Sequence, residues 1–90
     1  MFKDAEQIRN EQYNRYVEEF TNRMESVHSS KLKTIFKDLD DHIAKKDERE
    51  FSFSSSGWYG KPLEDVIEYF RIKGYTVELS QNEKYIWLYW

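Results

Sequence analysis

The chain has 90 residues, of which 34% are charged and 18% are aromatic, and its formal net charge is −3. This length fits a single domain, 1–90, and the aromatic content supplies a packed core, which excludes a disordered chain. The mild acidity argues against a nucleic-acid partner, because duplex binding needs a concentrated basic surface, and the absence of cysteine excludes disulfides and thiolate zinc sites. No apolar run reaches the roughly 18 residues of a membrane span, and residues 1–10 lack the apolar core of a signal peptide. We therefore expect a protein of the bacterial cytoplasm with no membrane partner.

The helical half of the chain, residues 1–46, shows two apolar stripes. The spacing alternates between four and three residues, which is the period of an amphipathic helix. The pattern slips near His28, so we predict two helices, with Ser29 or Ser30 as the N-cap of the second. One long bent helix is the alternative. The stripes are Tyr13, Val17, Phe20, Met24 and Val27, and then Leu32, Ile35, Phe36, Leu39 and Ile43.

The second half, residues 50–90, predicts a β-α-β-β unit. Phe51 and Phe53 alternate with polar residues, as in a short strand. Pro62 suits the first position of a helix and Gly74 suits its end. A terminal hairpin follows, so the fold class is α+β, with a three-stranded, mainly antiparallel sheet that carries the helices on one face.

The last strand, Lys84 to Trp90, is apolar on both faces. Such a strand is either central and covered twice, or it exposes a patch for a partner. We interpret Tyr85, Trp87 and Tyr89 as core residues. If one face stays open within the monomer, a two-fold dimer would cover it, so we also expect a homo-oligomer.

The loop Ser54–Lys61 is the segment with the most chemical interest. A serine- and glycine-rich loop followed by a lysine and a helix start is a layout that holds anions. Its serines and lysine would bind a phosphate while an aromatic ring stacks on a base. The alternatives are that Trp58 folds over the sheet edge, or that a protein docks on the aromatic residues. The candidate ligand- or partner-binding residues are Ser55, Ser56, Trp58, Tyr59, Lys61 and Trp90.

Catalytic and metal-binding patterns are missing from the sequence. His28 and His42 are fourteen residues apart and match no metal-ligand spacing. The acidic cluster from Asp38 to Asp41 lacks the alternating ligands and the glycine of a calcium loop. We therefore predict no catalytic residue, no metal and no cofactor, and a protein that is not an enzyme.

The layout resembles that of small accessory proteins encoded by phages and prophages of Gram-positive bacteria. The similarity rests on Asp4-Ala5-Glu6-Gln7-Ile8, on a helix that closes in Gly74-Tyr75-Thr76-Val77, and on the aromatic terminal hairpin. It implies a protein of the host cytoplasm without catalytic residues. Proteins of this kind are often host-takeover or anti-defence factors, which mask a protein or sequester a nucleotide.

Three functions are therefore kept open. The leading prediction is a phage-type accessory protein that inhibits or modulates a bacterial host protein through aromatic surface residues. The alternative is a protein that sequesters a nucleotide or another anionic ligand at the Ser54–Lys61 loop. A winged-helix-like DNA binder is less favoured. The helix Leu63–Phe70 is acidic, and the terminal hairpin that would form the wing has a single basic residue, Lys84.

Overall fold

The computed structural model describes residues 3–90 and has three helices and three strands. This confirms the α+β class and the presence of two N-terminal helices. Each helix within residues 3–90 is too short or too polar to span a lipid bilayer. The elements are α1 (Ala5–Val27), α2 (Ser29–Lys45), β1 (Glu50–Ser54), α3 (Lys61–Ile72), β2 (Thr76–Leu79) and β3 (Tyr85–Tyr89).

The two N-terminal helices are fixed by local backbone chemistry. Asp4 and Gln7 form a capping box at the start of α1, in which each side chain accepts the other residue's backbone N–H, at 2.9 and 3.0 Å. His28 separates α1 from α2, because its backbone leaves the helical region at φ −113° and ψ 29°. The prediction of a serine cap is wrong, since Ser29 and Ser30 already lie in the first turn of α2 and His28 holds the cap position.

The sheet has the strand order β1-β3-β2, and both pairings are antiparallel. Strand β3 is therefore central, which was one of the two alternatives for a strand with two apolar faces. Alternate residues of each strand point toward the helices, and these form the inner layer of the sheet. The inner layer consists of Phe51, Phe53, Val77, Leu79, Ile86 and Leu88.

The core lies between the inner layer and helices α2 and α3. Phe70 of α3 is fully buried, and its ring lies 5.6 Å from the rings of Phe36 and Phe53. Helix α1 packs mainly on α3 and buries Phe20 and Met24. The first half of α1 extends into solvent, and three members of the predicted stripes, at or beyond the ends of the packed parts of α1 and α2, are exposed instead of buried. These are Tyr13, Val27 and Ile43.

A hydrogen bond joins the core to the helix surface at Tyr69. Its hydroxyl donates to the Glu25 carboxylate at 2.8 Å, and the ammonium group of Lys73 lies 3.5 Å from the same carboxylate. Burial, followed by the hydrogen bond and the charge of Glu25, raises the pKa of the Tyr69 phenol far above its ordinary value. The folded protein therefore holds this proton more tightly than the unfolded chain does.

Alkaline pH is expected to lower the free energy of unfolding because of Tyr69. Above about pH 10, the ordinary pKa of tyrosine, the unfolded chain loses this proton while the folded chain keeps it, so stability falls as pH rises. Urea unfolding at stepped pH measures the slope. The substitution Tyr69→Phe should reduce it, whereas the control Tyr59→Phe, at an exposed position, should leave it unchanged. An unaltered slope in Tyr69→Phe would refute this assignment.

Candidate functional site

The side of the sheet opposite to the helices forms a surface that we call the open face. Helices α2 and α3 pack on the inner layer, so the alternate side chains of all three strands point to solvent. The prediction that Tyr85, Trp87 and Tyr89 are core residues is therefore wrong. Their neighbours on β3, Ile86 and Leu88, fill the core instead. The open face consists of Glu50, Ser52, Ser54, Thr76, Glu78, Tyr85, Trp87 and Tyr89.

An aromatic stripe runs along the middle of the open face. Tyr85 is 48% exposed, and Trp87 and Tyr89 are half-buried by their neighbours. The rings of Trp87 and Tyr89 lie 6.3 Å apart between centroids, with planes 17° from parallel. The central strand thus presents a pair of nearly parallel rings to solvent.

Short polar or acidic side chains border these two rings. The strand register places Ser52 and Glu78 on either side of Trp87. Directly paired residues have Cβ atoms about 4.5–5.5 Å apart, so each border residue stands next to its ring. Glu50 and Thr76 border Tyr89 in the same way.

The open face carries a negative charge beside its rings. Within residues 3–90, no lysine, arginine or histidine forms an ion pair with Glu50 or Glu78. Desolvation, then the charges of Glu78 and Glu50 and a hydrogen bond with Glu78, raise the pKa of the Tyr89 phenol. A group that lies on this part of the surface therefore meets aromatic rings and carboxylates together.

The serines of the Ser54–Lys61 loop serve different purposes. Ser55 is buried, and its hydroxyl donates to the carbonyl oxygen of Glu83 at 2.6 Å while its N–H donates to the carbonyl of Lys84 at 2.9 Å. These two bonds tie the loop to the turn of the terminal hairpin. Ser56 is exposed, and its N–H donates to the hydroxyl of Ser54.

The aromatic and basic residues of the loop are also engaged within the chain. Trp58 is 2% exposed, with its ring 4.9 Å from the His28 ring and under the ammonium group of Lys31 at 4.8 Å. Lys61 forms a salt bridge with Asp65 at 3.1 Å. Trp58 thus folds inward, onto His28 and Lys31 at the junction of α1 and α2, and Tyr59 is the exposed aromatic residue of the loop, at 72% exposure.

The structure places the six candidate residues at two distant ends of the sheet. The loop residues lie beside the start of β3, where Ser54, Ser55, Ser56 and Tyr59 line a shallow groove of about 350 Å³ with residues 83–85. Trp90 follows the other end of β3. The backbone N–H of Trp90 donates to the backbone carbonyl of Arg49. The Trp90 ring meets that of Tyr75 edge-on, with 6.0 Å between centroids. The two sets therefore do not form one site.

Removing the hydroxyl of Ser55 is expected to destabilise the fold. The substitution Ser55→Ala leaves the Glu83 carbonyl without its donor, which costs about 1–2 kcal/mol for a buried pair. Urea unfolding followed by circular dichroism measures the loss. Ser56→Ala removes the same atom from an exposed position and is expected to change stability by less than about 0.5 kcal/mol. Equal stability of the two variants would show that the bond contributes nothing.

A signal for the open face was present in the sequence. The residues that border Trp87 and Tyr89 are serine, threonine and glutamate, whereas the inner positions of β1 and β2 are apolar. Pairing the three strands by polarity would therefore have assigned the stripe to the solvent side.

Comparison of the chain with family models, with curated proteins and with solved structures gives no match.

Proposed function

We propose that this chain is a binding protein that docks a protein partner on its open face. The observation that carries the proposal is the stripe of Tyr85, Trp87 and Tyr89 on the solvent side of a central strand. Tryptophan and tyrosine dominate the energetics of protein interfaces, because they bury a large area at a small cost in conformational entropy. A sheet that places three such rings on its solvent side supports recognition.

The other two functions receive less support. A phosphate ligand at the loop would compete with the contacts that already engage Ser55 and Lys61. For a winged-helix DNA binder, a helix-turn-helix pair is needed, and residues 55–75 between β1 and β2 contain one helix, α3. The carboxylates of Glu50 and Glu78 would repel a nucleic acid on the open face. Modulation of a host protein by a phage-type accessory protein stays a prediction, and docking on the open face is compatible with it.

Site-directed photo-crosslinking in the cells that produce the chain tests this proposal. A photoreactive residue at position 52 lies on the open face, and one at position 33 lies at an exposed position of α2. We expect a crosslinked protein from position 52 that disappears in the Trp87→Ser background and persists in the Tyr59→Ser background. The proposal fails if position 33 yields the same product, or if Trp87→Ser leaves the product unchanged while the fold is intact by circular dichroism.

A further inference from the structure

The two carboxylates of the open face occupy opposite corners of the Trp87–Tyr89 ring pair. Glu78 stands beside Trp87 on the β2 side, and Glu50 stands beside Tyr89 on the β1 side. The Tyr89 ring thus lies near both carboxylates and the Trp87 ring lies next to that of Glu78, and within residues 3–90 no cation pairs with either carboxylate. The arrangement combines the two features that recognise an organic cation.

Aromatic rings and carboxylates attract cations through different interactions, and both interactions act on a cation that lies next to a ring and a carboxylate. A guanidinium or ammonium group is attracted to the face of a tryptophan or tyrosine ring by the ring's quadrupole. A carboxylate beside the ring accepts a charge-assisted hydrogen bond from the same group. We propose, resting on the function above, that the partner docks through an extended segment whose arginine or lysine side chains lie on Trp87 and Tyr89 and pair with Glu78 and Glu50.

The spacing of the rings matches an extended segment. Alternate residues of a β-strand point to the same side and lie about 6.6 Å apart along the chain. The centroids of the Trp87 and Tyr89 rings are 6.3 Å apart. Two cationic side chains at alternate positions of the segment therefore reach the two rings together.

The size of the open face favours a segment over a second folded copy of the chain. Strands of four or five residues in a three-stranded sheet give a face of about 13–16 by 14 Å, or roughly 180–220 Å². A stable dimer buries about 800 Å² on each partner. The face is too small for that, but it fits about five residues of extended chain.

Titration with short synthetic peptides tests this inference. The probe is a peptide in which arginine and threonine alternate, and the comparison peptides replace arginine with lysine, serine or glutamate. We follow the indole N–H resonances of the protein. The arginine and lysine peptides are expected to shift the Trp87 resonance and leave that of buried Trp58 unchanged, and added salt should weaken the binding. The serine and glutamate peptides should not bind.

A pair of matched double variants separates the carboxylates from general charge. Glu50→Gln with Glu78→Gln should weaken binding of the arginine peptide about two- to thirtyfold, since each exposed ion pair contributes a factor of roughly 1.4 to 5. Glu18→Gln with Glu19→Gln makes the same change in net charge on exposed positions of α1 and should leave the affinity unchanged. Thermal unfolding of both variants verifies that the fold is intact.

The outcomes distinguish this inference from the proposed function. If the serine peptide binds as well as the arginine peptide, or if no peptide binds, the cationic segment is wrong, and crosslinking from position 52 still decides whether the open face docks a protein. If the Trp87 resonance shifts with protein concentration alone, the occupant is a second copy. If a single-stranded oligonucleotide binds the face more tightly than the arginine peptide, a protein segment is excluded as its preferred ligand.

Discussion

Replacing Trp58 with alanine is expected to lower the free energy of unfolding by about 3–5 kcal/mol, the range for truncating a buried tryptophan. The ring is 2% exposed and packs against His28, where α1 passes into α2. It also lies under the ammonium group of Lys31. The substitution therefore opens a cavity and loosens the junction between the two helices, in a domain whose total stability is of the order of 5–15 kcal/mol.

Urea unfolding of Trp58→Ala and Tyr59→Ala, followed by circular dichroism, checks this expectation. Tyr59 is the next residue of the loop and is exposed, so its truncation should change the free energy of unfolding by less than about 0.5 kcal/mol. If both variants unfold at the same urea concentration, Trp58 does not support the junction, and its assignment to the core is wrong.

Truncating Ile86 is expected to cost about 2–5 kcal/mol, whereas truncating the larger neighbour Trp87 should cost no more than about 1 kcal/mol. Ile86 is fully buried between the sheet and the helices, and Trp87 points to the open face. The isoleucine variant leaves a cavity in the core. The tryptophan variant loses contacts with Ser52, Glu78 and Tyr89 at the surface.

In partner binding, the ranking of the two positions should be reversed: the substitution of Trp87, which costs little stability, should have the large effect. Trp87→Ala removes the centre of the docking surface and should abolish the crosslink from position 52, although the protein stays folded. Unfolding of both variants by urea gives the stabilities. A Trp87→Ala variant that is less stable than Ile86→Ala would contradict the account, because it would place the indole ring inside the fold.

The ends of the helices and the positions of the turns could be predicted because they depend on local chemistry. Pro62 lies in the first turn of α3, and Gly74 adopts a positive φ of 98° just after that helix, as expected of a residue that closes a helix. The break near His28 and the antiparallel hairpin likewise follow from changes in periodicity. Each of these features is set by a few neighbouring residues.

Features that depend on packing between distant elements could not be predicted in the same way. The apolar stripe of α1 predicts a buried face along the whole helix, but α1 buries Phe20 and Met24 and its first half extends beyond α3. Nothing in the local period tells where a neighbouring helix ends. The same limit applies to Trp58, whose place under Lys31 brings together residues far apart in the chain.

The candidate site was predicted in part. The sequence shows that β3 is apolar on both faces, but β3 taken alone tells neither its place in the sheet nor which face the helices cover. Ile86 and Leu88 fit the interior because the helices supply rings of complementary size there, whereas the opposite side pairs with serine, threonine and glutamate. Ser55 and Trp58 were predicted to contact a ligand or partner. Their contacts within the chain are sufficient to explain why a serine and a tryptophan occupy these positions.

Hydroxyl-radical footprinting of the free chain and of the partner complex is the most direct test of the open face. In the free chain we expect rapid oxidation of Tyr85, Trp87 and Tyr89 and slow oxidation of Trp58. In the complex, the three residues of the stripe should become protected while Tyr59 stays reactive. Protection of the stripe already in the dilute free chain, or unchanged oxidation of it in the complex, would contradict the claim that this surface is open and binds the partner.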